Sequence, residues 1–547
     1  MRLANVCALC AVALALAPSA LAAPGRISVG LTEETDRAGA AALVAASTGG
    51  TLVADLGPLD ALVFDVADAE SALVAAQALP GVAYAEPVTA SRRLAFVPND
   101  PLASRQWYLG AIRAFDRWAV HPSQPPVRVA VVDSGIDAGH PEFAGRIAGM
   151  RSFVGSPAGT DSLGHGTTVA GEIAAALDNA EGIAGIGIPV QLLVAKVVGA
   201  RGDISVLAEA RAIRWAVDNG ARVINLSLGG PRAPRNPRRD TYSALEHAAI
   251  DYATRKGVVV VAAAGNCAAL SCPESFAAWP AALPHVIGVG ALSPDGSSPA
   301  FSNRDRLHVD VAAPGTEIVS TFPRELTTAT CADPGYTICA TRISHRSPRG
   351  TSFSAPLVAA AAAVLVGERG RLGLTPLHAS QVTALLLRSS LDLGTPGRDA
   401  RTGHGRLDVD SAVAAAEGEP PPRDRYESND DAGARALTVG GPRLIEATLD
   451  RYQDVRDVYR IRVRAGQRLA VTLEGPAGGN SNLALWRPGT EAVVGTDVTG
   501  SDRLTASAQP GSTEQLGFRV RRGGWHYVEV RLVAGRSGAY RLDLSIG

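Results

Sequence analysis

Apolar runs at 127–132, 191–197, 223–228, 258–263 and 286–289 punctuate the middle of this 547-residue chain. Between them lie stretches with a helical period, such as 205–219 and 242–256. Continuous apolar strands alternating with helices predict an α/β domain over 97–416, its parallel sheet covered on both faces. In such sheets, sites form where loops leave the carboxyl ends of strands. Ahead of it, 24–96 reads strand, helix, two strands, helix, strand, the order of a small ferredoxin-like α+β unit. Beyond 417–424, which is rich in Pro and charge, the helical period vanishes. Runs at 458–463, 468–473, 482–486, 517–520, 526–530 and 540–544 alternate apolar with polar between Gly and Pro turns. That pattern predicts an all-β sandwich, jelly-roll-like, over 425–547. The 417–424 linker is expected to be extended, exposed and open to proteolysis, and the sandwich dispensable for the chemistry.

The first 23 residues change the cellular picture. Met1-Arg2, an apolar core over 3–16 and an Ala20-Leu21-Ala22 ending follow the order of a secretory signal peptide. The apolar core is shorter than the roughly 20 residues of a membrane span. The apolar stretch 357–366 is shorter still and reads as a buried helix, so no stable membrane insertion is expected. An exported chain meets oxidising conditions, and four cysteines remain after cleavage: Cys267, Cys272, Cys331 and Cys339. They allow three connectivities, of which closeness in sequence favours Cys267–Cys272 and Cys331–Cys339. Closing a loop that short is worth only roughly 2 kcal/mol. The spacings match no common zinc pattern. Lys and Arg total 52 against 53 Asp and Glu, a net charge of −1, which gives no electrostatic reason to expect nucleic acid.

Chemistry concentrates at strand ends and helix starts. Asp133 closes the run 127–132, His165 opens a helix expected over 168–177, and Ser352 precedes the buried Ala-rich helix. A serine hydroxyl needs a base within hydrogen-bond reach, and the base needs a third group to fix its tautomer. Ser352, His165 and Asp133 are the residue types for those roles. A helix N-terminus beside Ser352 favours negative charge. Asn266, just past the run 258–263, presents an amide that with the Ser352 backbone N–H can hold an oxyanion.

These segments, Asp133-Ser134-Gly135, His165-Gly166-Thr167, Ala264-Gly265-Asn266 and Gly350-Thr351-Ser352, together resemble the subtilisin-like serine proteases, or subtilases. The resemblance spans about residues 100–416 and includes Asn225-Leu226-Ser227-Leu228-Gly229-Gly230, whose counterpart forms one wall of the substrate cleft. It implies a secreted endopeptidase acting on proteins and peptides, with Ser227, Leu228 and Gly229 along the substrate. Residues 24–96 resemble the inhibitor-like propeptide of the family. As an intramolecular chaperone and inhibitor, that segment is expected to lay its 88–96 tail along the cleft. The segment opening Tyr426-Glu427-Ser428-Asn429-Asp430-Asp431 resembles a bacterial pre-peptidase C-terminal domain. No cofactor for catalysis is implied. A structural calcium is, with Glu142 and Asn179 at the matching places, and carboxylate and amide oxygens suit that ion. A monomer is expected.

Two departures are notable. Thr168 stands where the family usually has a second His, and Phe353-Ser354-Ala355 follows the nucleophile in place of the usual Met-Ala-Thr or Met-Ala-Ser. Other features read as structural: Asn225 as a core amide, Asp161 as a support for the loop before His165, His140 and His285 as structural or surface residues. The Arg-rich insertion 231–239 reads as a solvated loop, and Arg201-Gly202-Asp203 as a chance match to an adhesion tripeptide. The rival function is an exported binding protein on a protease-like fold. It predicts loss of at least one of Asp133, His165, Asn266 and Ser352, and all four are present.

Overall fold

The computed structural model describes residues 25–32, 35–88, 95–120, 122–199, 201–234, 236, 238–266, 276–327, 335–337, 348–433, 435–494 and 500–547. The export segment, the four cysteines and most of the 88–96 tail lie outside them. The chain divides into two compact units, 1–93 and 94–547.

In the first unit, β1 (Gly25–Leu31), α1 (Arg37–Thr48), β2 (Thr51–Leu56), β3 (Ala61–Val66), α2 (Ala69–Gln77) and β4 (Val82–Pro87) follow the expected order. The sheet runs β2-β3-β1-β4, with every pair antiparallel, as in a ferredoxin-like fold. Asp36 caps α1 by accepting from the N–H groups of Ala38 and Gly39, and Gly49 ends it at φ +64°. Ile27, Val29, Val44, Leu62 and Phe64 make its small core.

The second unit opens with α3 (Trp107–Ala111), β5 (Val127–Asp133), β6 (Ile147–Ser152), α4 (His165–Ala174) and β7 (Val190–Lys196). It continues with α5 (Val206–Asp218), β8 (Val223–Leu226), α6 (Ala244–Arg255), β9 (Val259–Ala263), β10 (Val286–Leu292) and β11 (Val311–Pro314). Helices α7 (Thr351–Arg371), α8 (Ala379–Arg388) and α9 (Val409–Glu417) close the domain. The seven strands pair in parallel in the order β11-β10-β9-β8-β5-β7-β6. Alternate residues of β5 serve opposite cores. Val129 and Val131 pack with α4, α7, α8 and α9, while Ala130 and Val132 pack with α5 and α6. The winding direction reverses at β5, between β7 on one side and β8 on the other, so a crevice opens beyond its carboxyl end. Asp133 is the last residue of β5.

Helix α7 runs 21 residues, about twice the apolar stretch read from sequence. Among the described residues it is the one helix long and apolar enough to cross a membrane, yet it lies buried against the sheet. Its alanines let it approach closely, and larger side chains there would overpack at about 1–3 kcal/mol. Helix α4 starts three residues earlier than expected and stops at Ala174, where the Ala175 N–H closes the last turn on the Gly171 carbonyl.

The sandwich comprises β12 (Leu437–Val439), β13 (Arg443–Leu449), β14 (Arg456–Val463), β15 (Arg468–Glu474), β16 (Gly479–Trp486), β17 (Arg503–Ser507), β18 (Thr513–Arg519), β19 (Gly524–Gly535) and β20 (Gly538–Ile546). They form a five-stranded sheet, β12-β14-β19-β16-β17, and a four-stranded one, β13-β20-β15-β18. Tyr459, Leu485 and Tyr540 fill the space between them, while Trp525 lies partly exposed under the Arg460 guanidinium.

The linker has no helix or strand after Glu417, and Gly418, Glu419, Pro422 and Arg423 are exposed, yet it is tied down at several points. Arg117 Nε donates to Glu417 Oε1 at 2.9 Å, and Arg369 Nη1 reaches the carbonyls of Ala416 and Gly418. Gln381 Nε2 donates to the Pro421 carbonyl at 2.7 Å. Helices distant in sequence thus take up two linker carbonyls, those of Gly418 and Pro421.

Candidate active site

Asp133 is held almost out of solvent at the end of β5, and its Oδ1 accepts the Ser134 N–H at 2.7 Å. His165, first residue of α4, faces it: Nδ1 lies 2.8 Å from Oδ1 and 3.0 Å from Oδ2. Nδ1 carries the proton, since both partners are acceptors, and this leaves Nε2 free to accept one. Burial pushes the His165 imidazole down. The charge and hydrogen bond of Asp133, with Asp161 adding, outweigh this and hold it above its ordinary value. A third of the side chain remains exposed toward the cleft.

Asp161 supports this pair as expected. Its Oδ1 accepts from Ser134 Oγ and the N–H of Gly164, and its Oδ2 from the N–H and hydroxyl of Thr167. Ser134 Oγ in turn accepts the Gly166 N–H at 2.9 Å. The loop after β5 and the start of α4 are thereby tied together. A Cβ on Gly166 would lie 2.2 Å from the Gly135 carbonyl oxygen, so only glycine fits at that crossing.

Ser352 sits in the first turn of α7, half-buried beside the same cleft. Its carbonyl accepts Ser227 Oγ at 2.6 Å. Asn266 Oδ1 accepts from the N–H and hydroxyl of Thr351 at 2.8 and 3.1 Å, which turns Nδ2 into the side chain's outward donor. Sequence reasoning quoted Thr351 and gave it no part, although it fixes which end of the Asn266 amide is available.

The cleft has a volume of about 380 Å³ and brings Asp133, His165, Asn266 and Ser352 together with Ser227, Leu228 and Gly229. Leu163, Val198 and Ile204, together with Ala263 and Ala278, supply apolar lining that sequence reasoning missed, because these residues come from five separate segments. Among the described residues, Asp133 and His165 are the ionisable ones in the lining. Gly202 of the adhesion-like tripeptide lies on the cleft edge. Asn225 is fully buried, its Nδ2 donating to Ser227 Oγ. His140 is buried against the Gly335 carbonyl, and His285 meets Asp430 of the sandwich at 2.9 Å. The Arg-rich insertion is not simply solvated: Arg232 is 7% exposed, covered by aromatic rings.

Glu142 and Asn179 are neighbours, with Asn179 Nδ2 3.4 Å from Glu142 Oε2. Glu142 Oε1 accepts from the Ile183 N–H and the Tyr336 hydroxyl, and Asn179 Oδ1 from the Glu181 N–H. Burial, with Asp100 and Glu181 adding repulsion, pushes the Glu142 carboxyl up to about 7.

Comparison with known proteins places this geometry. Residues 125–405 match the model of the Subtilase family, and residues 12–87 that of the Fervidolysin N-terminal prodomain. Subtilisin DY of Bacillus licheniformis is 35% identical over 288 residues, 52% of this chain and 90% of its own. Thermitase of Thermoactinomyces vulgaris is 35% identical over 275 residues, covering 50% and 86% of the two chains. Subtilisin Savinase of Lederbergia lenta is 38% identical over 240 residues, covering 44% and 76%. The solved structure of a lanthipeptide protease superposes with a TM-score of 0.50 at 26% identity, covering 59% of this chain and 99% of its own.

Proposed function

The chain belongs to the subtilase family and is a subtilisin-like serine endopeptidase, and on that premise we propose that it is exported, matures from a self-processed zymogen, and cleaves proteins through an acyl-enzyme on Ser352. The observation that carries the mechanism is the Asp133–His165 hydrogen bond facing the same cleft as Ser352. His165 Nε2 takes the Ser352 Oγ proton as Oγ bonds to the substrate carbonyl carbon. Asp133 stabilises the imidazolium that forms. Asn266 Nδ2 and the Ser352 backbone N–H donate to the oxyanion. The C–N bond then breaks, His165 returns the proton to the leaving amine, and a water activated by His165 releases the acid.

The mostly apolar cleft lining away from Asp133 and His165 favours substrates with an apolar side chain beside the scissile bond. Residues 24–96 act as chaperone and inhibitor, an assignment supported by the prodomain match. A calcium ion held beside Glu142 and Asn179 is part of the same reading. It rests on a buried carboxylate crowded by Asp100 and Glu181, whose ionisation a dication favours. Asn179 serves there with its amide turned to present oxygen. Calorimetric titration with calcium checks this: wild type takes up heat-releasing calcium and Glu142→Gln does not.

The deciding experiment is labelling with a fluorophosphonate. Wild type is expected to be labelled and Ser352→Ala not. The mature protein is expected to begin between about Leu94 and Asp100, with Ser352→Ala retaining its N-terminal unit. Labelling of Ser352→Ala, or its normal maturation, overturns the assignment.

A further inference from the structure

The wall of the cleft at Ala278 belongs to a short irregular strip, Phe276-Ala277-Ala278-Trp279, outside any helix or sheet. With no ladder or helix to hold it, its position is set by a few backbone bonds, among them the Ala278 N–H donating to the Ala264 carbonyl at 2.9 Å, and by the side chains packed behind it. Two backbone bonds join it to the opposite wall: the Gly230 N–H donates to the Trp279 carbonyl at 2.9 Å, and the Trp279 N–H to the Gly230 carbonyl at 3.0 Å. The fit is close, since a Cβ on Gly229 would lie 2.2 Å from the Trp279 carbonyl oxygen.

Behind the strip stands the 231–242 segment. The Arg232 guanidinium lies over the Phe276 ring at 5.3 Å and the Trp279 ring at 5.7 Å, and its Nη1 is 3.5 Å from Asp305 Oδ2. The same Asp305 oxygen accepts the Ala277 N–H at 3.4 Å. Asp240 Oδ1 accepts from Trp279 Nε1 at 3.0 Å, and its Oδ2 accepts the Ala233 N–H, pinning the insertion to the indole it covers. A cation this buried is costly unless stacked and paired, and here it is both.

We propose that Arg232 is a positioning residue for substrate selectivity: by clamping Phe276 and Trp279 against Asp305 it fixes the cleft wall at Ala278 and so sets which side chain fits there. It is not among the residues that line the cleft, and so acts through Trp279 and Ala278. Its charge does not meet the substrate, so the effect is on shape. Shape is a sensitive lever, because one methylene in an apolar pocket discriminates by roughly 10- to 200-fold. This proposal rests on the endopeptidase reading above and deepens it.

The test compares two short peptides, one with Phe and one with Ala on the acyl side of the scissile bond, using full-length protein after maturation, with active sites titrated by fluorophosphonate. In Arg232→Met, which keeps a long apolar stem, the ratio of kcat/KM for the Phe and Ala peptides is expected to change at least about fivefold, mainly in KM. The kcat on the Ala peptide is expected to stay within about twofold. Arg232→Lys, which keeps the charge without the flat stacking surface, is expected to fall between. If Arg232→Met does not mature, Trp279→Phe leaves Arg232 a smaller aromatic face and removes the bond to Asp240, which loosens the same wall, and a shift in ratio in the same direction is expected from it. An unchanged ratio in a fully titrated variant, or an equal loss on both peptides, overturns the proposal. Failure of the wild type to cleave either peptide or take the label overturns the endopeptidase reading instead.

Discussion

Ser227 Oγ donates to the Ser352 carbonyl at 2.6 Å, an acceptor that exists because Pro356, four residues on, has no N–H to occupy it. A proline in the first turns of α7 thus leaves one helical hydrogen bond unmade, and a side chain from the facing cleft wall makes it. The cleft wall and Ser352 are locked by one bond. Ser227 is itself held by Asn225 Nδ2 at 2.9 Å, which gives that buried amide its structural part.

Ser227→Ala is expected to leave that carbonyl without its partner, at a cost of about 1–3 kcal/mol in stability. It also frees the first turn of α7. Turnover of a small peptide is expected to fall about tenfold or less, with no loss of fluorophosphonate labelling. Thermal unfolding and active-site titration check it; unchanged stability would show that water replaces the hydroxyl without cost.

Asp133→Asn is expected to preserve the fold and lower kcat by roughly 10⁴, because the amide can hold imidazole in the wrong tautomer. The pH profile separates this from a packing defect. The Asp133 charge holds the His165 pKa above its ordinary value, so the residual activity of the variant should extend to lower pH than that of the wild type.

Asn266→Ala is expected to lower kcat by about 10²–10³ with little change in KM, since Nδ2 donates to charge that appears only in the transition state. Part of any loss will come from Thr351, whose N–H and hydroxyl both give up the Asn266 oxygen. Asn266→Asp keeps that acceptor and removes the donor, and an equal loss of kcat in both variants assigns the effect to Nδ2.

The cleft was legible in sequence because each of its candidate reacting groups follows an apolar run or opens a helix. Those are positions where a chain must leave a parallel sheet. The supports were not. Arg232 looks solvated in an Arg-rich insertion, and its ring partners Phe276 and Trp279 stand some forty residues away. The linker's bonds were not legible because their donors, Arg369 and Gln381, lie outside the helical stretches that the apolar pattern marks. Strand β6 alternates half-buried and exposed positions as an edge strand does, and β11 has only four residues, too few to show a period. Contacts between distant segments leave no periodic trace.

Glu172 lies fully buried in α4, and neither carboxyl oxygen finds a partner among the described residues. Burial holds its pKa well above the ordinary carboxylate range, so the folded protein keeps the proton to higher pH than the unfolded chain does. The unfolded chain ionises near its ordinary value. Stability is therefore expected to fall as pH rises above that value, by about 1.4 kcal/mol per pH unit until the folded group itself ionises. Glu172→Leu removes this dependence. Its melting temperature should exceed that of the wild type by more at pH 8 than at pH 5, and a difference that does not vary with pH would mean that the carboxyl ionises equally in both states.

The sandwich is docked as well as tethered, which changes what truncation should do. His285 of the peptidase domain meets Asp430 at 2.9 Å and Glu427 at 3.6 Å, and His404 packs on Tyr452 with ring centroids 5.1 Å apart. Burial lowers the His285 pKa, but Asp430 and Glu427 outweigh it and raise it to about 9. A histidine raised in the folded state stabilises fully below its unfolded value of about 6.5, and that contribution is lost as pH climbs through 9. Among the described residues, none from the sandwich lines the cleft. A chain ending at Glu417, produced with its N-terminal unit, is therefore expected to hydrolyse a short peptide within about twofold of the full chain at 25 °C. It should melt several degrees lower at pH 6, and this gap should narrow by pH 10. An equal melting temperature at pH 6 would show that docking contributes nothing to the catalytic domain. A gap that holds to pH 10 would place the contribution in the Tyr452 contact and the linker bonds instead of His285.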